Sequence, residues 1–248
     1  MVRGRPLIIS HKHRYVFVEL RRTGSTAIRG ELRELYDGAP ILHKHATYTE
    51  FRRQASQDEQ TYFVFSGIRN PLDDAVSRYF KLKTDHKQRF SDPSLRQRRR
   101  RPLNNVLDRR MFNYLRRTDA TFSNFFLHFY HLPYHTWASL SHDTFDHLIR
   151  FERIGEDFDA ALRKIGIAPA RPLPAMNRAG QRSRDFEDYY SPKAIQRVPR
   201  AMGSYRARWG YEFPTAWELE PPTSLDWMGY RAFSAVAQLY WRVLRPRT

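Results

Sequence analysis

Short, dense apolar runs alternate with polar turns along the first third of the chain. Residues 15–20 form one such run, bounded by charge on both sides, and its β-type composition predicts a buried strand. Beyond a polar turn, apolar residues recur at helical spacing from Ile28 to Tyr36 and stop at Asp37-Gly38, which predicts a helix that ends there. The pattern therefore predicts a strand, a sharp turn and a helix in succession.

A second run of the same kind covers residues 61–68 and predicts another buried strand. It leads directly into Arg69 and a helical pattern that begins at Pro71, where the fixed φ of proline suits the first helical position. Asp73 and Asp74 fit the first turn of this helix, because a helix N-terminus favours negative charge. A cation therefore stands at the junction of this strand and helix.

The later part of the chain predicts mainly helices. Residues 105–117 and 122–130 show helical spacing, and the aromatic stripe of the second segment is typical of a core or of the wall of a cleft. Residues 145–154 predict a further strand, in which Glu152 is a candidate partner for a loop cation. The helix predicted over residues 156–165 follows it.

The last part of the chain, residues 215–248, is predicted to be an appendage to a domain formed by residues 1–214. It begins with a proline-containing linker, and residues 227–244 then predict an amphipathic helix with flanking arginines. Such a helix docks on its own domain, pairs with another chain or contacts a membrane surface.

Composition narrows the class of protein. The 248 residues suit one α/β domain with elaborations or two small domains, and the absence of cysteine excludes disulfides and thiolate metal sites. The sequence has neither a long apolar stretch near its amino terminus nor a bilayer-spanning apolar run, so we expect a cytoplasmic protein. The formal net charge of +17 attracts polyanions, although the four arginines at residues 98–101 are typical of a solvated loop.

The polar turn after the first strand has the composition of an anion site. A strand that turns sharply into a helix directs backbone N–H groups at whatever lies above the turn, and the helix dipole favours an anion there. Glycine permits close approach to the backbone, hydroxyls donate hydrogen bonds and arginines supply charge. The pocket predicted for a phosphate-like group comprises Arg21, Arg22, Thr23, Gly24, Ser25 and Thr26.

Two histidines follow the first helix, after an apolar pair at residues 41–42 that predicts a short buried strand. In an extended chain His43 and His45 project to the same side. Such a pair can bind a metal, act as acid and base, or pack structurally. Because no third ligand lies nearby in the sequence, the metal signal is weak, and we expect no metal.

Two motifs together resemble those of a known enzyme family. The turn is not a nucleotide triphosphate loop, because the chain contains no GxxxxGK[ST] string. Instead, RTGSTA at residues 22–27 resembles the 5′-phosphosulfate loop of sulfotransferases that use 3′-phosphoadenosine 5′-phosphosulfate (PAPS), most closely the carbohydrate-type enzymes. Arg69-Asn70-Pro71, followed by Ser77, resembles their 3′-phosphate site. Each motif follows a predicted strand, where open α/β sheets bind ligands.

This resemblance extends over about residues 15–214 and implies a P-loop NTPase-like sulfotransferase fold, which is an α/β three-layer sandwich with a central, mainly parallel sheet. It implies that the chain transfers a sulfuryl group from PAPS to an acceptor hydroxyl, with a carbohydrate favoured as acceptor and no nucleic acid expected. The position of the His-x-His pair is similar to that in uronyl 2-O-type sulfotransferases, in which one of the two histidines serves as the base.

Carried over to this sequence, the resemblance implies that His45 is the catalytic base and that His43 assists it. Arg22 stands where the family usually has lysine. A guanidinium neutralises a leaving phosphate but is a poor proton donor, so the role implied for Arg22 is electrostatic. The implied cofactor-binding residues are Arg21, Arg22, Thr23, Gly24, Ser25 and Thr26 at the 5′-phosphosulfate, and Arg69 and Ser77 at the 3′-phosphate.

Two other functions fit parts of the sequence. A non-catalytic protein that binds polyanions or nucleic acid would use the same positive charge, and its affinity would fall steeply with salt. A kinase-like or nucleotide-binding enzyme is a weaker alternative, because the lysine of the triphosphate loop is missing.

Overall fold

The structure is a computed structural model that describes residues 7–20, 22–42, 48–92, 102–135, 145–174 and 185–239. Over these ranges the chain is an α/β protein with a five-stranded mixed sheet. It divides into two compact units, which we call the sheet unit (residues 1–70 and 136–178) and the helical unit (residues 71–135 and 179–248). Within the described ranges, no helix combines the length and the apolar character needed to cross a bilayer.

The strands run in the order β3-β1-β2-β4-β5 across the sheet. Strand β2 pairs in parallel with β4, and β4 with β5, whereas β1 pairs antiparallel with both β2 and β3. The sheet is therefore mixed, with as many antiparallel as parallel pairings, rather than mainly parallel. The strands are β1 (Leu7–Ser10), β2 (Tyr15–Val18), β3 (Ala39–Ile41), β4 (Phe63–Ile68) and β5 (His147–Arg150).

Strand β1 lies outside the elements that the hydrophobic pattern predicts, and its insertion explains the mixed sheet. All four of its residues are buried, and a tight turn that ends at Arg14, with φ of 54°, reverses the chain into β2. Strand β3 pairs with β1 at the edge of the sheet, and its first two residues are exposed. The short strand predicted at residues 41–42 is therefore present but begins two residues earlier and ends at Ile41, and Ile41 and Leu42 are partly buried rather than fully buried.

Most predicted helices are confirmed, with small differences in extent. Gly166, with φ of 77°, follows the helix predicted over residues 156–165. A π-helical segment (Pro199–Gly203), which begins at a proline, separates two short α-helices. The helices are α1 (Ser25–Leu35), α2 (Tyr48–Gln54), α3 (Pro71–Lys83), α4 (Pro102–Thr118), α5 (Phe122–Phe129), α6 (Ile154–Lys164), α7 (Pro192–Val198), α8 (Ser204–Arg208) and α9 (Ser224–Leu239).

The sheet unit buries apolar residues on both faces of its sheet. Because successive side chains of a strand point to opposite faces, Tyr15 and Phe17 of β2 pack with residues of α1 and α6, whereas Val16 and Val18 pack with α2. This two-sided burial explains why β2 reads as a continuous apolar run. The run predicted over residues 145–154 is strand only over β5, and a 3₁₀ turn (Phe151–Arg153) joins it to α6.

The helical unit is built around aromatic side chains. The predicted aromatic stripe is core: the ring of Tyr79 on α3 lies 5.6 Å from that of Phe122 and 5.5 Å from that of Phe125, and Phe126 stacks on Tyr130 at 4.8 Å. The predicted C-terminal helix is also confirmed as α9, whereas residues 240–248 lie outside the described part of the chain.

Candidate functional site

Parallel pairing brings three strand ends to one edge of the sheet. Val18 at the end of β2 pairs with Ser66 of β4, and Ile68 at the end of β4 pairs with Arg150 of β5. The residues that follow these strands therefore leave the sheet at the same edge, which is where open α/β sheets bind ligands. We call this place the carboxyl edge.

The turn between β2 and α1 has two residues in the left-handed region. Arg22 has φ of 67°, and Gly24, which caps α1, has φ of 71°. A left-handed conformation is uncommon for a non-glycine residue and is found preferentially at binding sites. No side chain caps the N-terminus of α1 with a hydrogen bond, and the first turn of this helix has no acidic residue. The turn therefore presents partial positive charge.

The buried hydroxyls of the turn point back to the strand. Thr23 Oγ1 donates to the carbonyl oxygen of Leu20 at 3.1 Å, and Ser25 Oγ donates to the same oxygen at 2.5 Å. Both side chains are buried, whereas Arg22 and Thr26 are partly exposed. In this arrangement Thr23 and Ser25 fix the turn, and a ligand would meet backbone N–H groups, the Arg22 guanidinium and the Thr26 hydroxyl.

A buried acid lies beneath the turn. The side chain of Glu19 is 1% exposed, and its Oε2 pairs with Arg29 Nη1 of α1 at 3.0 Å. Its Oε1 also accepts a hydrogen bond of 3.4 Å from Ser25 Oγ. Glu19 therefore fastens the start of α1 to the end of β2. An acidic residue inside an otherwise apolar run was the available sequence signal for this role.

Arg69 joins the turn to the end of β5. Its Nη1 donates to the carbonyl oxygen of Arg22 at 3.2 Å, and its guanidinium lies 4.2 Å from the centroid of the Phe151 ring. Close by in sequence, the backbone N–H of Asn70 donates to Glu152 Oε1 at 2.7 Å. The structure thus brings together the predicted turn and the predicted cation, and it shows that Glu152 binds the backbone next to that cation.

Two glycines make room for the turn. A Cβ at Gly24 would collide with Ile154 Cδ1 and lie 3.3 Å from the Phe151 ring, so this glycine permits packing of the turn against the start of α6. This packing is a structural reason for glycine at residue 24, beside the predicted approach of a ligand to its backbone. A Cβ at Gly67 would lie 2.6 Å from Thr23 Oγ1. Glycine at this position of β4 therefore leaves the space that the Thr23 side chain of the turn occupies.

The described structure does not test whether the remaining predicted site residues reach this edge. Arg21, His43 and His45 lie outside the described residues, as does the arginine run at 98–101. Strand β3, which precedes the two histidines in sequence, runs in the same direction as β2. Ser77 is buried within α3 and belongs to the helical unit, whereas Arg69 belongs to the sheet unit.

The described residues of the carboxyl edge supply a guanidinium and a helix N-terminus, which is the chemistry of an anion site. Within the described ranges, no three histidine, aspartate or glutamate side chains are grouped so that they could hold a metal ion. His147 begins β5 and therefore lies at the opposite end of that strand from Phe151. Burial lowers the pKa of His147, and its Nε2 lies 3.1 Å from the backbone oxygen of Asp157.

No protein-family model matches this chain, and neither a curated protein nor a solved structure shows significant similarity to it.

Proposed function

We propose that the chain is a PAPS-dependent sulfotransferase that transfers a sulfuryl group to an acceptor hydroxyl, with a carbohydrate as the favoured acceptor. The observation that carries the proposal is the convergence at the carboxyl edge, where the Arg69 guanidinium bonds to the carbonyl of Arg22 in the strained turn. The resemblance in sequence assigns the turn to the 5′-phosphosulfate of the nucleotide and Arg69 to its 3′-phosphate. The structure supports this assignment because both elements leave adjacent parallel strands.

The proposal includes a finer assignment of the fold. We propose a three-layer, P-loop NTPase-like sulfotransferase architecture, and the burial of both faces of the sheet in the sheet unit supports it. Strand β1, which runs antiparallel between β2 and β3, is then a departure from the mainly parallel sheet of that family.

The residues of the turn fit the 5′-phosphosulfate end of PAPS. An uncapped helix N-terminus and left-handed turn residues direct backbone N–H groups outward, and the Arg22 guanidinium adds charge without proton transfer. PAPS, when bound, supplies the activated sulfuryl group. In the proposal, residues 21–26 hold and orient that end of the donor and stabilise the charge that develops on its phosphate.

Arg69 and Ser77 are the proposed partners of the 3′-phosphate. The Arg69 guanidinium is held in place by the Phe151 ring and by the Arg22 carbonyl, so little rotamer freedom is lost when it meets an anion. His45 is the proposed base that takes the proton from the acceptor hydroxyl, assisted by His43. An imidazole suits this step because its ordinary pKa lies near neutral pH.

Turnover of PAPS tests this function. The full chain is incubated with PAPS and a panel of polysaccharides, and release of 3′-phosphoadenosine 5′-phosphate (PAP) is followed. We expect acceptor-dependent release in the wild-type protein. In His45→Ala we expect a loss of about 100-fold or more with PAP binding retained, because general-base catalysis typically contributes that much.

The matched control is His11→Ala, since His11 is exposed in the turn before β2, at the opposite edge of the sheet. This variant should turn over normally. Equal turnover in His45→Ala and the wild-type protein would remove the base assignment. Absence of turnover with every acceptor, combined with salt-sensitive binding of any polyanion, would favour the non-catalytic alternative that the net charge of +17 suggests.

A further inference from the structure

The outer side of α9 carries a continuous apolar stripe. Leu225, Met228, Val236 and Leu239 are 76%, 65%, 65% and 63% exposed. At about 100° per residue, these four side chains and that of Ala232 fall within an arc of about 80° along the helix. Single exposed apolar side chains are ordinary on protein surfaces, but a contiguous stripe marks an interaction surface.

The opposite side of α9 is docked on the helical unit, so the direction of the stripe is fixed. Tyr230 is buried, and the ring of Phe233 packs edge-on against that of His135 at 5.8 Å. The start of the helix is held by reciprocal hydrogen bonds: the Thr223 N–H donates to Asp226 Oδ2 at 2.9 Å, and the Asp226 N–H donates to Thr223 Oγ1 at 3.2 Å. The stripe therefore belongs to an anchored helix.

The sequence from α9 onwards is basic, and one of its arginines is described. Arg231 lies on the exposed side of α9, and residues 227–248 contain four arginines but no acidic residue. The carboxylate of Asp226, the last acidic residue of the chain, is engaged by Thr223. Because each whole chain has a formal net charge of +17, a second copy would be repelled, whereas anionic lipid headgroups would be attracted.

We propose that α9 binds in the plane of a bilayer surface that contains anionic lipids, with its apolar stripe at the boundary of headgroups and acyl chains and Arg231 among the lipid phosphates. A helix with one apolar side and flanking cations binds in this way without crossing the bilayer. The docked side of α9 would then hold the helical unit at the membrane. This property is independent of sulfuryl transfer.

A fluorescent label on the stripe tests the proposal directly. Because the chain has no cysteine, Val236→Cys can be labelled at a single position with an environment-sensitive fluorophore. Vesicles of phosphatidylcholine with phosphatidylglycerol should shift its emission to the blue, and vesicles of phosphatidylcholine alone should shift it far less. Leu132→Cys is the matched control, since Leu132 is 62% exposed and lies outside α9, and its label should not respond. Equal responses at both positions would overturn the proposal.

A variant of the full chain provides the second test. Met228→Ser with Val236→Ser should lower co-sedimentation with the anionic vesicles by at least about tenfold, because each exposed apolar side chain loses its burial in the bilayer. Leu132→Ser should bind as the wild-type protein does. Unchanged binding in the double variant, or no binding by the wild-type protein, would contradict the proposal. Concentration-dependent dimers that the double variant abolishes would instead make the stripe an interface between copies and overturn it.

Discussion

The two units of the chain both bury polar and charged side chains, but they surround them differently. In the sheet unit, the groups that hold the turn are matched by protein partners: Glu19 pairs with Arg29, and the Arg69 guanidinium donates to the Arg22 carbonyl. These contacts leave part of each arginine open to solvent at the carboxyl edge.

In the helical unit, by contrast, buried cationic groups lie among aromatic rings. Arg206 is 1% exposed and packs over the Phe213 ring at 4.2 Å, and within the described ranges no hydrogen-bond acceptor reaches its guanidinium nitrogens. Burial lowers the pKa of Arg206 to about 10. The Nε2 atom of His135 is likewise buried without a hydrogen-bond partner in the described part of the chain.

This difference shows why positive charge alone does not locate the functional site. Arginines are present in both units, and the most buried of the described arginines, Arg206, lies in the helical unit. The carboxyl edge is distinguished instead by the meeting of a strained turn, a helix N-terminus and a held guanidinium at the ends of parallel strands. Buried basic groups of the helical unit should therefore affect stability, whereas Arg22 and Arg69 at the carboxyl edge should affect ligand binding.

The largest expected effect on stability concerns His135 and pH. Burial, together with the positive charge of Arg208, lowers the pKa of His135 from 6.5 to about 4. The folded chain therefore keeps this imidazole neutral while the unfolded chain protonates it below pH 6.5. The stabilisation that depends on a neutral His135 is fully present above pH 6.5. It is lost as the pH falls towards 4, which lowers the free energy of unfolding by about 3 kcal/mol in total.

Urea unfolding between pH 7.5 and 4 measures this effect. Over this pH range, the free energy of unfolding of His135→Gln should fall by about 3 kcal/mol less than that of the wild-type protein. In the control His131→Gln, which alters an exposed histidine of the same unit, the dependence should match the wild-type protein. Identical pH slopes for all three proteins would show that His135 is not buried as a neutral group.

A smaller effect is expected from Gly24→Ala in the sheet unit. The new side chain would combine a left-handed backbone with a collision against Ile154, so we expect the free energy of unfolding to fall by about 2–3 kcal/mol. Gly155→Ala is the control, because nothing lies within 4 Å of a Cβ at that helical position, and it should be neutral or stabilising by up to about 1 kcal/mol. Denaturation of both variants at constant pH measures these two changes in the free energy of unfolding.

The smallest of these effects concerns the acid beneath the turn. Glu19→Gln removes the charge that faces Arg29 in a buried pair, so we expect a loss of about 1–2 kcal/mol in the free energy of unfolding. Glu34→Gln alters a pair with Arg171 in which the acid is 59% exposed, and it should change stability by less than about 0.5 kcal/mol. Equal losses in the two variants would mean that Glu19 is no more than a surface partner.

The sequence predicts the sheet unit well where the signals are local. Strands β2 and β4 and the turn after β2 follow from apolar runs and turn residues. In the helical unit, the helix that begins at Pro71 follows from capping preferences. Strand β1 is missed because its three apolar residues, which follow a basic segment, resemble any short apolar stretch. The order of strands depends on pairings between distant segments, which local patterns do not record.

The candidate site divides in the same way. The turn and Arg69 carry chemistry that is visible in the sequence, so their meeting could be expected. Phe151, Gly67 and Ile154 act only through neighbours that are distant in sequence, so pattern reasoning assigns them no role. A glycine inside a strand was the available signal for Gly67, since it marks the close approach of another backbone.

The central claim is that the carboxyl edge binds a nucleotide through its 3′-phosphate. Calorimetric titration of the purified chain with PAP, and with ADP and 5′-AMP as controls, tests it most directly when performed at two salt concentrations. We expect PAP to bind at least about tenfold more tightly than ADP at both salt concentrations, because a charge-assisted contact contributes about 1.5–3 kcal/mol. Arg69→Ala should abolish this preference, whereas Arg33→Ala, an exposed arginine of α1, should retain it. Equal affinity for PAP and ADP, falling steeply with salt, would contradict the account.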